Sequence, residues 1–263
     1  MELAPALVKT GVLRPIAWLG GSLLDLLYPP VCISCGAPVA NADALCVSCF
    51  RGLRPITAPL CPVLGLPFEI SLGPGARSAE AIADPPPFDR SRSAVVYNDV
   101  ARALVSRLKY GDRPELARFC ARLMAQAGRE LLDQNAVLIP VPLHPTRMLA
   151  RRYNQSSELA RALGRLTGLR VDPGLVARRK RTRQQVGLSS DARQRNVAGA
   201  FAPGRDAAAR LAGRRAIIVD DVITTGATVK ALARTLRRLG VAGVDVISFA
   251  RVVTSDQRPA ADG

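Results

Sequence analysis

The most constraining feature of this sequence is one strand–loop–helix segment. An apolar run, Ile217–Val219, is followed by two carboxylates, Asp220 and Asp221, and then by small residues that open another apolar-patterned helix. Such a run fits an inner strand of a parallel sheet, and ligands of these sheets bind beyond the carboxyl ends of the strands. The segment therefore predicts an α/β fold with a binding site at this edge.

The residues after the two acids have the composition of a phosphate-binding loop. Backbone amides at a helix N-terminus bind anions, and Gly226 allows a close approach, while Thr224, Thr225 and Thr228 add hydroxyl donors. The acids can accept hydrogen bonds from vicinal hydroxyls or help to place Mg²⁺. This combination suits a ribose 5-phosphate. The alternative, a strand that merely ends in a helix cap and a turn, does not require paired acids before the loop.

Apolar strands alternate with helices throughout the second part of the chain. We predict strands at 93–98, 136–141, 216–219 and 244–253, and helices at 100–108, 114–132, 154–166 and 229–239. Strands separated by helices pair in parallel with right-handed crossovers. Residues 91–255 are therefore expected to form a doubly wound domain, a parallel sheet flanked by helices.

Four of the six cysteines form two CxxC pairs separated by ten residues: Cys32, Cys35, Cys46 and Cys49. Two such pairs supply a closed tetrahedral shell of thiolates, which is typical of a structural zinc and not of a catalytic one. The short stretch between them cannot build a core without metal. We predict a zinc ribbon over residues 31–54. Cys61 and Cys120 have no such partners, and Cys120 lies in a predicted helix, where we expect it to be a buried apolar residue.

Three other segments flank these two domains. Residues 1–30 are predicted to contain an amphipathic helix, residues 55–90 are a Pro/Gly-rich linker, and residues 256–263 are a disordered tail. No run reaches the ~20 apolar residues of a membrane span. A basic start followed by the apolar run of residues 16–24 faintly resembles a signal peptide, but no small-residue cleavage pattern follows it. We therefore expect a cytoplasmic protein without integral membrane association, and in the cytoplasm clustered thiols are more often metal ligands than disulfides.

The charge of the chain points toward phosphate-bearing partners. There are 37 basic and 21 acidic residues, a formal net charge of +16. This favours nucleic acid, a phosphorylated small molecule or an anionic surface. However, only four of the 37 are lysines, and such an arginine bias also follows from genomic base composition. Residues 178–195 carry seven basic side chains. They suit a mobile lid over a pyrophosphate, a contact to a nucleic-acid backbone, or a merely solvated loop.

Several motifs, in order along the chain, resemble those of the ComF family. This is a zinc ribbon joined to a type I phosphoribosyltransferase-like domain, found among bacterial competence proteins. Residues 220–228 (DDVITTGAT) resemble the signature for 5-phosphoribosyl 1-pyrophosphate (PRPP), and residues 108–112 (LKYGD) are similar to the pyrophosphate-loop region. Residues 141–155 (VPLHPTRMLARRYNQ) follow a central motif of the family.

The resemblance implies PRPP or a related phosphoribosyl compound as the ligand, with Mg²⁺. The ribose hydroxyls are then expected at Asp220 and Asp221, and the pyrophosphate near Lys109, Tyr110 and Gly111. The 5-phosphate is expected on the loop residues, Thr224, Thr225, Gly226, Ala227 and Thr228. The family's second CxxC ribbon is degenerate near Cys61, which leaves one zinc. Lys109 is alternatively a solvated helix end.

Two functions stay open at this point. The first is a phosphoribosyl-binding protein that acts in DNA uptake or nucleic-acid handling, with single-stranded DNA and proteins of the competence machinery as partners. The second is a Mg²⁺-dependent phosphoribosyltransferase of nucleoside metabolism, that is, a glycosyltransferase with an unknown acceptor. The roles of His144, Gln185 and Asn196 are not decided by the sequence.

Overall fold

The computed structural model describes residues 29–110, 114–146, 148, 153–180, 197 and 199–253. Its central feature is a five-stranded sheet in which every neighbouring pair is parallel. The strand order is β1-β7-β6-β2-β3. The strands are β1 (Arg90–Val96), β2 (Ala136–Pro140), β3 (Arg170–Val171), β6 (Arg215–Ile223) and β7 (Gly243–Arg251). A separate antiparallel pair consists of β4 (Val176–Arg178) and β5 (Phe201–Pro203). The predicted parallel α/β sheet is confirmed.

Seven α-helices are described, and they alternate with the strands in the larger domain. They are α1 (Val47–Gly52), α2 (Ala79–Ala83), α3 (Asp99–Tyr110), α4 (Pro114–Ala127), α5 (Gln155–Thr167), α6 (Ala207–Leu211) and α7 (Ala227–Arg237). Local sequence sets several ends. The Asn154 side chain caps α5 by accepting from the Ser156 amide, and Gly168 ends that helix in the left-handed region.

The sheet is buried on both faces. Successive side chains of β6 alternate between the faces, so that Ala216 and Ile218 join one core and Ile217 and Val219 the other. The first core includes α7 together with residues 61–66, and the second includes α3, α4 and α5. This double burial explains why the inner strands are apolar runs.

Strand β6 is longer than the sequence predicted. We expected the strand to end before the acids, but it continues to Ile223, and Asp220 and Asp221 lie within it. The neighbouring β7 pairs with it along this extension, as far as Ile223 opposite Arg251. The expected strand end was therefore wrong, because pairing with β7 stabilises extended backbone beyond the apolar run.

The first residues of the basic segment 178–195 belong to the described part of the chain. Arg178 lies in β4, is 8% exposed, and its guanidinium stacks 5.5 Å from the Phe201 ring centroid. Arg178 therefore belongs to the folded domain. Residues 181–196, Gly111, residues 1–28 and the predicted tail lie outside the described residues. Within the described part of the chain, no helix is both long and apolar enough to cross a membrane.

Candidate functional site

The two acids of β6 differ in environment. Asp220 is buried, and its Oδ1 accepts hydrogen bonds from Ser156 Oγ at 3.0 Å and from the Asp221 amide at 3.0 Å. Burial, followed by the charge of Asp221, raises the pKa of Asp220 well above its usual value. The more exposed Asp221 has its Oδ2 3.7 Å from Lys109 Nζ. The pair is therefore held in place by groups from two other elements.

Lys109 is brought to the acids by the end of α3. Its ammonium lies beside the Asp221 carboxylate, so the structure brings together two residues that were expected to contact the same ligand. The Tyr153 hydroxyl donates to the Leu108 carbonyl, which ties the segment before α5 to the same helix end. Tyr110 is the last residue of α3. Three chain segments, the end of α3, the start of α5 and β6, thus meet at one edge of the sheet.

The loop after β6 has the geometry of an anion site. Gly226, with a φ of 73°, lies in the left-handed region that glycine adopts without strain, and no side chain caps α7 there. Thr225 Oγ1 is buried and has no hydrogen-bond partner among the residues that the structure describes. A small cavity of about 30 Å³ is lined by Asp220 and residues of this loop, Val222, Ile223, Thr224, Gly226, Ala227, Thr228 and Val229. An orphaned buried hydroxyl beside uncapped amides fits a phosphoryl group.

The sequence did not single out two residues that organise this site. Ser156 holds Asp220, and the side-chain amide of Asn154 donates to the Val141 carbonyl at 2.9 Å, which joins the two ends of the loop between β2 and α5. Because β2 lies beside β6 in the sheet, this loop leaves the sheet next to the acids. A serine in the first turn of a helix that follows a neighbouring strand is the signal that could have indicated Ser156.

The four CxxC cysteines come together as predicted. Their sulfur atoms all lie within 4.8 Å of one another, and the Sγ atoms of Cys35 and Cys46 are 3.7 Å apart. A tetrahedral zinc with ~2.3 Å bonds places its sulfurs about 3.8 Å apart, so the cluster fits the ion. Although burial opposes ionisation of Cys32, amide donors that include those of Cys35 and Cys46 lower its pKa to about 6. These donors are typical of a zinc knuckle, and the cluster supports one structural zinc.

Residues 59–84, here called the second lobe, repeat the backbone of the first knuckle. Val31 pairs with Pro38, and the Cys32 amide donates to the Ala37 carbonyl at 2.7 Å. Twenty-nine residues later, Leu60 pairs with Pro67, and the Cys61 amide donates to the Leu66 carbonyl at 2.8 Å. The equivalence extends to the helix that follows each knuckle, α1 after the first and α2 after the second.

The second lobe keeps this fold with only one of the four cysteines. The positions that correspond to Cys35, Cys46 and Cys49 hold Leu64, Ser78 and Ala81. Leu64 and Ala81 are both 2% exposed. The amides of Leu64 and Ser78 still point at the Cys61 sulfur, at 3.4 Å each. Apolar packing has therefore replaced the ligands.

Two families of domain match this chain. The double zinc ribbon domain matches residues 23–82, and the phosphoribosyl transferase domain matches residues 106–262. The first match spans both the four-cysteine knuckle and the second lobe. The second contains the acids and the loop described above.

Full-length relatives are similar over most of the chain. The DNA utilization protein YhgH of Escherichia coli K12 is 33% identical over 237 residues, which are 87% of this chain and 100% of that protein. Competence protein F of Haemophilus influenzae is 30% identical over 84% of this chain and 96% of its own length. Competence protein ComFC of Bacillus subtilis is 28% identical over 79% and 83%. With the zinc knuckle, the parallel sheet and the acid-loop segment in the expected order, the chain belongs to the ComF family.

Proposed function

We propose that this chain binds PRPP or a related phosphoribosyl compound at residues 220–228 and acts in DNA uptake or nucleic-acid handling. The observation that carries the proposal is Thr225 Oγ1, a buried hydroxyl that has no partner within the described part of the chain and lies beside the uncapped start of α7. A buried polar group without a partner is costly, about 1–3 kcal/mol. A phosphoryl oxygen of the ligand would accept its hydrogen bond.

The acids complete the proposed site. Asp220 and Asp221 lie in β6 shortly before the loop, where they would accept hydrogen bonds from the two ribose hydroxyls. A Mg²⁺ ion fits carboxylate oxygens of this kind and would neutralise pyrophosphate charge. Lys109 would add a further cation next to Asp221. In the bound state the chain's own residues would thus hold phosphate, diol and pyrophosphate in order along the sheet edge.

The proposed role of this chain with nucleic acid is supported by its relatives and its charge and not by the loop after β6. The relatives carry names that refer to DNA utilization and competence, and the formal net charge of +16 would attract a polyanion. Single-stranded DNA and proteins of the competence machinery are the proposed partners, and the cytoplasm is the proposed location. Binding to DNA should weaken steeply as salt rises, with a slope set by the number of phosphates contacted.

A second candidate function is a Mg²⁺-dependent phosphoribosyltransferase. The match to the phosphoribosyl transferase domain favours it. In such a transfer the bond from ribose C1 to pyrophosphate breaks, and the acceptor forms a new bond to C1. Positioning and charge stabilisation by the site would lower the barrier. Release of pyrophosphate from PRPP in the presence of base, amine or nucleic-acid acceptors would establish this activity. Failure with all acceptors, together with intact PRPP binding, would favour the binding function.

The binding site is tested by Thr225→Val, which removes the hydroxyl with little change in shape. We expect the affinity for ribose 5-phosphate and PRPP, measured by titration calorimetry, to fall about tenfold, equivalent to about 1.4 kcal/mol. Thermal stability should stay the same or rise, because an unsatisfied polar atom is removed.

Thr235→Val is the matched control, since Thr235 lies in α7, the helix that follows the loop, and its hydroxyl donates to the Ala231 carbonyl. It should leave the affinity unchanged. The double change Asp220→Ala with Asp221→Ala should abolish PRPP binding in a folded protein. Unaltered binding in Thr225→Val or in the double variant would overturn the assignment.

A further inference from the structure

The second lobe contacts both ends of the loop that follows β6. The first contact is made through β7. Arg251 is paired in register with Ile223, the last residue of β6, and the Val252 amide donates to the Ile223 carbonyl at 2.9 Å. The Arg251 side chain is almost fully buried and donates to the Leu64 carbonyl of the second lobe at 3.1 Å. The strand side of the loop is therefore joined to the second lobe through one residue of β7.

The second contact is made through the first turn of α7. The Lys230 amide donates to the Gly226 carbonyl at 2.8 Å. The Lys230 side chain runs back past the loop, with its Cε 3.9 Å from the position that a Cβ on Gly226 would take. Its Nζ lies 2.7 Å from Oδ2 of Asp84, the residue that ends α2. The helix side of the loop is therefore joined to the second lobe by an ion pair.

The two side chains of this ion pair differ in burial, and the buried one is the lysine next to the loop. The Lys230 side chain is 8% exposed and that of Asp84 is 58% exposed. A buried ammonium is costly unless it has a partner, so Lys230 keeps its position only while Asp84 neutralises it. Without the carboxylate, the ammonium would gain by moving toward water. That movement would pull on the turn that includes Gly226.

The zinc ribbon, residues 31–54, makes a contrasting contact. Its residue Asp43 pairs with Arg118 of α4 at 2.9 Å. Helix α4 covers the opposite face of the sheet from α7. The zinc ribbon and the second lobe are thus each joined to the larger domain by an ion pair, and the pair of the second lobe is the one that reaches α7.

We propose that the second lobe positions the phosphate loop, with Asp84 acting through Lys230 as the positioning contact. A lobe that has lost three of its four ligand cysteines would then serve the binding site of the larger domain. The effect on ligand affinity rests on the proposed function of the loop. The effect on loop order does not, and this difference is used in the test.

The experiment compares Asp84→Asn and Lys230→Met with Asp43→Asn as the matched control. Two quantities are measured on the full chain: the hydrogen-exchange rate of amides 226–230 without ligand, and the affinity for ribose 5-phosphate. We expect Asp84→Asn to speed the exchange of the Lys230 amide and to weaken ribose 5-phosphate binding about fivefold or more. Asp43→Asn should change neither quantity.

Two further variants separate positioning from general instability. Lys230→Arg, which keeps the charge, should retain most of the affinity. Lys230→Met in the Asp84→Asn background should be no weaker than Asp84→Asn alone, because the contact is then already lost. Unchanged exchange at amides 226–230 in Asp84→Asn would overturn the proposal, and so would unchanged or tighter ligand binding. If the wild-type chain binds no phosphoribosyl compound, the proposed function fails, and the exchange measurement alone decides the positioning role.

Discussion

A glycine at the same place in each knuckle provides a sensitive test of how the second lobe is attached. Gly36 and Gly65 have φ values of 83° and 63°, so alanine is strained at either position. That strain costs about 1 kcal/mol at each site. The surroundings differ, however. A Cβ on Gly36 would meet no atom of the described residues within 4 Å, whereas a Cβ on Gly65 would lie 2.2 Å from the Ser91 carbonyl oxygen of β1.

The additional cost at Gly65 follows from what must move. Strand β1 is fixed by its pairing with β7, so the knuckle has to shift away by about 1 Å to reach an ordinary contact. The shift strains the bond from the Ser91 amide to the Val63 carbonyl at 2.7 Å and the bond from Arg92 to the Pro62 carbonyl at 3.0 Å. Each such bond contributes about 1 kcal/mol, and an unsatisfied buried amide costs more. We expect Gly65→Ala to lower the free energy of unfolding by about 3–5 kcal/mol and Gly36→Ala by about 1 kcal/mol.

Thermal unfolding of the zinc-loaded chain, followed by circular dichroism, measures the difference. For a chain of this size, 1 kcal/mol corresponds to about 2–4 °C. Gly65→Ala should therefore unfold at least about 4 °C below Gly36→Ala. Gly65→Ala should keep the zinc content of the wild-type chain, because the four-cysteine cluster lies in residues 31–54 and not in the second lobe. Equal stabilities would refute the close packing of the second lobe on β1.

Three further changes test separate parts of the structure. Asp220→Asn keeps an acceptor for the Ser156 hydroxyl and removes a buried carboxyl group whose pKa is raised. It should stabilise the chain near neutral pH by about 1 kcal/mol in thermal unfolding while weakening PRPP binding, and the gain should vanish at acidic pH, where the native carboxyl is protonated. Metal analysis should find one zinc per chain, retained in Cys61→Ala and lost in Cys35→Ser; two zincs, or loss in Cys61→Ala, would contradict the one-ion site. Asp245 is fully buried and accepts hydrogen bonds from two arginines. Asp245→Asn should lower the free energy of unfolding by more than about 2 kcal/mol, and a neutral effect in denaturant unfolding would count against that network.

The sequence predicted those features whose cause is local. The CxxC spacing by itself places four sulfurs within reach of one ion, and Cys32 to Cys49 meet as expected. The apolar run before Asp220 predicted an inner strand because only double burial tolerates such a run. Its end was misplaced, because the extension to Ile223 depends on β7, which is distant in sequence.

The second lobe shows why other features were missed. The proline and glycine content of residues 55–90 predicted a linker, and the missing second cysteine pair indicated a degenerate second ribbon. The signal that remains in the sequence is a spacing: residues 60–67 have a glycine and a proline at the same offsets as residues 31–38. Burial of Leu64 in place of a ligand then stabilises the turn by packing on the sheet. Packing of this kind is created by the folded neighbours and leaves no motif in the sequence.

The contacts that organise the site are likewise non-local. Ser156 and Asp220 are separated by 64 residues, and Asp84 and Lys230 by 146. Ser156 could have been indicated only by its place after a neighbouring strand, and no residue near Asp84 or Lys230 along the chain indicates that they form a pair. Only the sheet order, which places β2 beside β6 and the second lobe beside α7, brings them together.

The central claim is that a phosphoryl group rests on the amides of the loop after β6. Nuclear magnetic resonance of the zinc-loaded chain, titrated with ribose 5-phosphate, tests it most directly. We expect the largest amide shifts at Gly226, Ala227 and Thr228, with smaller shifts at Asp220 and Asp221 and none in the zinc knuckle. Saturable shifts that are centred elsewhere in the chain, or no shifts at all with either ribose 5-phosphate or PRPP and Mg²⁺, would contradict it.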